Sequence, residues 1–156
     1  MKIGILQTGH APDELRPTIG DFSDLFQGLL GGHGFAFTVY NVVDMDFPAA
    51  ITDCNGWLIT GSKHGAYQDH PFMPPLEAMI RDIYAADIPM VGVCFGHQII
   101  AQELGGRVTK FDGGWSTGEV STVYCTYYHD SKSGEDTSGV KAKGTLHFVS
   151  VGQAVE

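Results

Sequence analysis

Cys94 is the residue whose setting most directly implies chemistry. It lies in Gly92-Val93-Cys94-Phe95-Gly96, the small-x-nucleophile-x-small spacing of a nucleophile elbow, in which a reactive side chain stands on a sharp turn between a strand and a helix. Glycines flank the turn because any side chain there would collide with the neighbouring strand or helix. A cysteine so placed faces the positive end of the following helix, which favours thiolate over thiol and is expected to lower its pKa. The competing reading, a buried and inert cysteine, is the commoner fate of a free thiol but leaves the flanking glycines unexplained. A thiolate that attacks a carbonyl carbon also needs donors aimed at the oxyanion it creates. The backbone N–H of Phe95 is one. Gly61, just past a strand end, permits the close backbone approach required of a second.

Those turns need strands that end where they begin. Residues 2 to 7 form a short apolar run broken by Thr8-Gly9-His10-Ala11-Pro12, which predicts a buried strand. From Asp21, the positions Phe22, Leu25, Phe26, Leu29 and Leu30 recur at helical spacing, and Gly31-Gly32 supplies a stop. Phe35 to Val43 is β-branched and aromatic and predicts a second strand; Gly56 to Thr60 predicts a third. Pro74-Pro75 opens a helix with Leu76, Met79, Ile80 and Ile83 on its buried face. Pro89 to Val93 reads as the fourth strand, Gly96 to Leu104 as a helix closed by Gly105-Gly106, and Arg107 to Phe111 as a further strand. Ser131 to Gly144 has the composition of a surface loop or linker, and Leu146 to Val151 is apolar enough for a last strand.

Strands alternating with helices predict an α/β fold: an open, mostly parallel twisted sheet with helices on both faces. Ligands of such sheets bind beyond the carboxyl ends of the strands, where the Gly61 loop and Cys94 both fall. The whole chain, 1–156, reads as one domain, with 121–156 its divergent or truncated end.

Composition narrows the partners. Nine Lys plus Arg against 18 Asp plus Glu give a formal charge of -9, which repels phosphate backbones and acidic membrane leaflets. No nucleic-acid or membrane partner is therefore expected, and small molecules or proteins are. Cys54, Cys94 and Cys125 are odd in number and widely spaced, without a C-x-x-C, so neither a disulfide framework nor a metal site is indicated. No apolar stretch approaches the ~18 residues of a membrane span, and a cytoplasmic location is expected. His10, His33, His64 and His70 fall in predicted loops, where solvent exposure is the expected role, and the acids of Asp21–Asp24 and Asp44–Asp46 read as helix caps and loop solvation. No phosphate loop or other cofactor motif is present in the sequence.

The stretch Gly92-Val93-Cys94-Phe95-Gly96-His97-Gln98, with Ala101 and Leu104-Gly105-Gly106, resembles the nucleophile signature of class I glutamine amidotransferases. Leu58-Ile59-Thr60-Gly61-Ser62 with Ala66-Tyr67 resembles the family's oxyanion strand and loop, and Gly113-Gly114-Trp115 with Gly118 resembles a segment of its stand-alone members, of the GMP-synthase amidotransferase kind. The resemblance runs over roughly residues 1 to 120. It implies a flavodoxin-like fold and a cysteine that attacks the γ-carboxamide of glutamine and releases ammonia. It further implies Gly61 and Phe95 as oxyanion donors, Gln98 lining the glutamine pocket, no cofactor, and a synthetase partner protein to consume the ammonia. His97 belongs to the motif and is expected to pack in the first helical turn.

Members of that family complete the site with a His-x-Glu nearer the carboxyl terminus. None occurs in 1–156; His129 and His147 lie in no matching motif. The resemblance therefore implies an impaired amidotransferase-like hydrolase. Hydrolysis of γ-glutamyl peptides by the same nucleophile, and a catalytically inactive binding module of the same fold, stand as alternatives.

Overall fold

The computed structural model describes residues 1–106, Val108, and the backbone strands Cys125–Tyr128 and Ala142–Leu146. Two compact units divide the chain, 1–110 and 111–156. In the first, β1 (Lys2–Leu6), β2 (Ala36–Tyr40), β3 (Gly56–Ile59) and β4 (Met90–Gly92) form one parallel sheet in the order β2-β1-β3-β4. Parallel neighbours need crossovers, and the order reverses between β1 and β3, which makes their carboxyl ends the switch point of an open α/β sheet.

Burial explains the register. Ile5, Leu6, Trp57, Leu58 and Ile59 are buried, as strands covered on both faces require. Gly4 is glycine because a Cβ there would overlap the Trp57 ring, which spans β1 to meet Tyr40 on β2 at 5.8 Å between centroids. The indole N–H then donates to the Ile51 carbonyl at 3.0 Å. At the opposite ends of the strands, Met1, Ile3, Phe35, Leu58, Pro89 and Val91 line an apolar hollow of about 230 Å³.

Among the described residues, four α-helices accompany the sheet: α1 (Arg16–Ile19), α2 (Phe22–Leu29), α3 (Met73–Ala85) and α4 (Phe95–Glu103). Asp21 caps α2 in a capping box, its side chain accepting from Phe22 N–H while Asp24 accepts from the Asp21 N–H. The periodicity of α2 promised a buried stripe, but Leu25 and Leu29 are 45% and 73% exposed; Phe22, Phe26 and Leu30 are half-buried instead. Helix α3 buries Leu76, Met79, Ile80 and Ile83 as its spacing predicts, and Met73 with them. It packs on α4, and Arg81 pairs across to Glu103. The strand expected from Phe35 to Val43 stops at Tyr40, because Val42–Asp44 tightens into a 3-10 turn.

In the second unit β5 (Cys125–Tyr128) and β6 (Ala142–Leu146) pair antiparallel. Part of the segment whose composition suggested a loop is thus a strand, Ala142 to Gly144 joining Thr145 and Leu146. Apart from Val108, the expected strand Arg107–Phe111 lies outside the described residues, as do Gly113–Trp115, Gly118, His129 and residues 147–151.

Candidate active site

Three strand ends meet around Cys94. Strand β4 stops at Gly92, α4 starts at Phe95, and Val93 and Cys94 form the turn between them, Cys94 with φ 54° and ψ -106°. A non-glycine residue at positive φ carries strain of about 1–3 kcal/mol and persists only where its surroundings over-determine it. Here they do. A Cβ on Gly92 would overlap the backbone of Gly96, and one on Gly96 would overlap the Ile59 carbonyl and side chain, so both positions exclude side chains for the reason the sequence spacing suggested. Val93 N–H donates to Ile59 O at 3.0 Å, Gly96 N–H to Thr60 O at 3.1 Å, and Gln98 N–H to Cys94 O at 3.1 Å, which locks the elbow to β3 on one side and to its own helix on the other.

The sulfur is half-buried. Burial pushes the Cys94 thiol up from its ordinary value, and a hydrogen bond from the Phe95 N–H pulls it down by less. The expectation of a lowered pKa is therefore not met in this geometry: loss of water around the sulfur outweighs the single amide donor. Cys54 is more deeply buried, 4% exposed, and its thiol is likewise pushed up by burial.

Gly61 lies opposite. A Cβ added to it would sit 3.6 Å from the Cys94 Cβ, an ordinary contact, so the glycine brings its backbone close to Cys94 rather than relieving a clash. The Thr60–Gly61 peptide is held firmly. Thr60 O accepts from the Gly96 N–H at 3.1 Å and from the Thr8 hydroxyl at 3.0 Å. Because a trans peptide points its N–H opposite to its carbonyl, these two bonds fix the direction of the Gly61 N–H. Thr8 N–H donates to Thr60 Oγ1 at 3.0 Å, and Ser62 Oγ donates to Thr8 O at 2.7 Å. Thr8, Thr60 and Ser62 are all buried, and buried polar groups persist when they are mutually satisfied in this way.

Of the other expected residues, Phe95 is fully buried and its ring meets Phe72 at 6.2 Å. Gln98 is half-buried, one helical turn past Cys94. Gln102, a turn further, donates to Ala66 O at 3.2 Å and borders a cleft of about 370 Å³ with Tyr67, Asp69, His70 and Glu77. Burial raises the pKa of Glu77 there, and the nearby Glu103 carboxylate adds to the shift.

Of the histidines expected to be solvent-exposed in loops, His33 is exposed, whereas His10, His64 and His70 are half-buried. The His64 and His70 rings meet at a tilt of 53° with centroids 4.0 Å apart, and His64 has its pKa lowered by burial and by the neighbouring His70 and Lys63. His10 is 28% exposed and turns both ring nitrogens to carboxylates, Nδ1 to Asp21 Oδ2 at 2.6 Å and Nε2 to Asp44 Oδ2 at 2.9 Å. Sequence reasoning missed Thr8, Thr60, Ser62 and His10. The available signal was positional: Thr8-Gly9-His10 and Thr60-Gly61-Ser62 follow adjacent strands at the same edge of the sheet.

Among the described residues, no cluster of His, Cys, Asp and Glu could hold a metal ion, and no helix is long and apolar enough to cross a membrane.

Known proteins resemble this chain in sequence and fold. Gamma-glutamyl peptidase 4 of Arabidopsis thaliana is 34% identical over 97 residues, 61% of this chain and 39% of its own length. The Halobacterium salinarum polypeptide that forms one part of a glutamine-hydrolyzing GMP synthase is 35% identical over 82 residues, 52% of this chain and 40% of its own length. A glutamine amidotransferase structure from Methylobacillus flagellatus superposes with TM-score 0.55 at 30% identity, covering 80% of this chain and 44% of the other. The chain thus spans less than half the length of each of these three proteins. The sequence profile of the family described as Glutamine amidotransferase class-I matches residues 35–150, the elbow and the Gly61 loop included. With that match and the open parallel sheet that carries both turns, the chain belongs to the class-I glutamine amidotransferase family.

Proposed function

We propose that Cys94 is the nucleophile of an amidohydrolase-type site acting on γ-glutamyl amides, with the N–H groups of Gly61 and Phe95 as oxyanion donors and Gln98 lining the substrate pocket. The observation that carries this reading is the strained Cys94 backbone, at φ 54° between two glycines that admit no side chain, facing the fixed Gly61 peptide. Strain kept at one half-buried sulfur and offset by the rest of the fold marks function more than packing.

In the reaction the Cys94 thiolate attacks the γ-carbonyl carbon, and an S–C bond forms as the carbonyl becomes an oxyanion. Collapse breaks the C–N bond, and the amine takes a proton and leaves. Water then hydrolyses the thioester to glutamate and free thiol. Burial of the thiol means that this site needs a base to generate thiolate at neutral pH, and both nitrogens of His10 are committed to carboxylates.

Glutamine as substrate, with ammonia passed to a synthetase-type partner, is supported by the likeness to the GMP synthase polypeptide. Hydrolysis of γ-glutamyl peptides is supported by the likeness to the peptidase. Either role would be carried out in the cytoplasm. Residues 1–156 alone should turn over either substrate very slowly, since removing a triad member costs several powers of ten even when oxyanion donors remain. The chloroketone analogue of glutamine tests the reading, because alkylation needs the thiolate and the pocket but no proton for a leaving amine. Peptide mapping should find Cys94 labelled, competitively with glutamine, and Cys54 unlabelled. Labelling of Cys54 at an equal rate, or no protection by glutamine, would refute the assignment.

A further inference from the structure

His10 sits where three elements converge: the turn after β1, the cap of α2 at Asp21, and the turn after β2 at Asp44. Both ring nitrogens face carboxylate oxygens. A neutral imidazole has one N–H and would leave a lone pair against one of them, so this geometry belongs to the imidazolium, which donates twice. A second arrangement is built in beside it. The Gln7 amide oxygen accepts from Ser23 N–H at 2.9 Å, which directs its Nε2 to Asn41 Oδ1 at 3.0 Å and to His10 Nδ1 at 3.0 Å. On losing its Nδ1 proton, His10 would accept from Gln7 and release Asp21.

Two residues upstream, Thr8 holds the Thr60–Gly61 peptide through Thr60 O and lends its own carbonyl to Ser62. Gly9 leaves no slack between them, since a Cβ there would lie 2.9 Å from Ser62 Oγ. We propose that His10 is a positioning residue for the Gly61 N–H: as an imidazolium clamped between Asp21 and Asp44, it anchors the Thr8–His10 turn against the strand end that presents this donor. The inference rests on Gly61 being an oxyanion donor.

The surrounding charges support the clamp. Burial pulls the His10 pKa down, but hydrogen bonds and charge from Asp21 and Asp44 outweigh it, and the net shift is upward. Arg16, on α1, has its Nε 3.9 Å from the same Asp21 oxygen, which leaves Asp21 a cation when His10 lets go. Asp24 is engaged by the Asp21 N–H and Asp46 by the Asn41 N–H, so the acids of these elements that face the clamp are accounted for by named donors. Above the His10 midpoint the clamp opens and the donor loses its fixed direction.

The test uses the full chain. Imidazole and amide NMR signals are followed against pH, with the ratio of Cys94 labelling rates by the glutamine chloroketone and by iodoacetamide measured in parallel. The ratio cancels the thiolate fraction and reports the pocket. The His10 midpoint is expected above the ordinary 6.5, with the Gly61 amide shifting at the same midpoint. The labelling ratio should fall about tenfold through it, the scale of a modest misplacement of a reacting group. Asp44→Asn should lower all three midpoints together, and His10→Gln should hold the ratio low and flat. A His10 midpoint at or below 6.5, a Gly61 amide that ignores it, or a flat wild-type ratio would overturn the proposal. Should His10→Gln not fold, the Asp44→Asn shifts decide. If the chloroketone never labels Cys94, the catalytic reading fails, while a shared His10 and Gly61 midpoint or its absence still decides the clamp.

Discussion

At the amino ends of the strands, Met1, Ile3, Phe35 and Val91 meet as apolar side chains around a hollow, whereas at the carboxyl ends Thr8, Thr60 and Ser62 are joined by hydrogen bonds between buried groups. The first arrangement is non-directional. Apolar contacts lose little when a neighbour shifts by a few tenths of an ångström, while hydrogen bonds weaken steeply with angle. One sheet therefore has a tolerant edge and an exacting one, and the exacting edge is the one that faces Cys94.

The sharpest contrast is between two glycines. Gly96→Ala should cost about 3 kcal/mol in urea or thermal melts, because its Cβ would meet the Ile59 backbone, which cannot move without breaking β3. Gly56→Ala, at the amino edge, should cost less than about 1 kcal/mol, since its nearest contact at 3.0 Å is the flexible end of Met1. Equal losses at the two sites would erase the distinction between the edges.

Thr8→Val keeps the shape and removes the hydroxyl. It should destabilise by about 1–2 kcal/mol, the cost of leaving buried acceptors short of a donor, and should slow chloroketone labelling more than iodoacetamide labelling. An unchanged labelling ratio would show that the bond to Thr60 O does not aim the Gly61 N–H.

The charged clamp makes a smaller contribution with a defined pH dependence. His10 has its folded pKa raised, so its stabilisation is full below the unfolded value and is lost as pH rises through the folded one. Asp21 has its pKa lowered: burial works against the shift, and hydrogen bonds from Ala11, His10 and Phe22 outweigh it. Its contribution is present above the unfolded value and is lost as pH falls through the folded one. Asp44 is 61% exposed, so Asp44→Asn should cost under about 1 kcal/mol near pH 6 and less at about pH 9. A larger cost at the alkaline pH would reverse the sign of the linkage. Least of all, Val91→Thr on the tolerant edge, where Val91 is 57% exposed, should stay within about 0.5 kcal/mol.

Most of the frame was legible in the sequence because it depends on short-range pattern. The apolar run of β1, the turn glycines of the elbow and the buried face of α3 announce themselves within a few residues. Helix α1 did not, since Arg16–Ile19 is a single turn with no periodicity to detect. In α2 the helical spacing was real, but Leu25 and Leu29 point to solvent because spacing specifies a face and not what covers it. The support of the site was hidden for a different reason. Thr8 and Thr60 are 52 residues apart, and His10 and Asp44 are 34 apart, so nothing local marks them as partners. Likewise the Cys94 pKa could be guessed from a helix terminus but not its burial, which proved the larger effect.

The carbonyl of Thr60 joins three strand ends at one oxygen, taking Thr8 from beyond β1 and Gly96 from beyond β4. These partners are 52 and 36 positions away in the chain. Contacts of that separation form only after the loops between them have closed, which is the slow part of assembling a parallel sheet. The direction of the Gly61 N–H is consequently a late property of folding. A nascent or partly refolded chain can hold its secondary structure and an accessible thiol while the peptide that faces it still rotates freely.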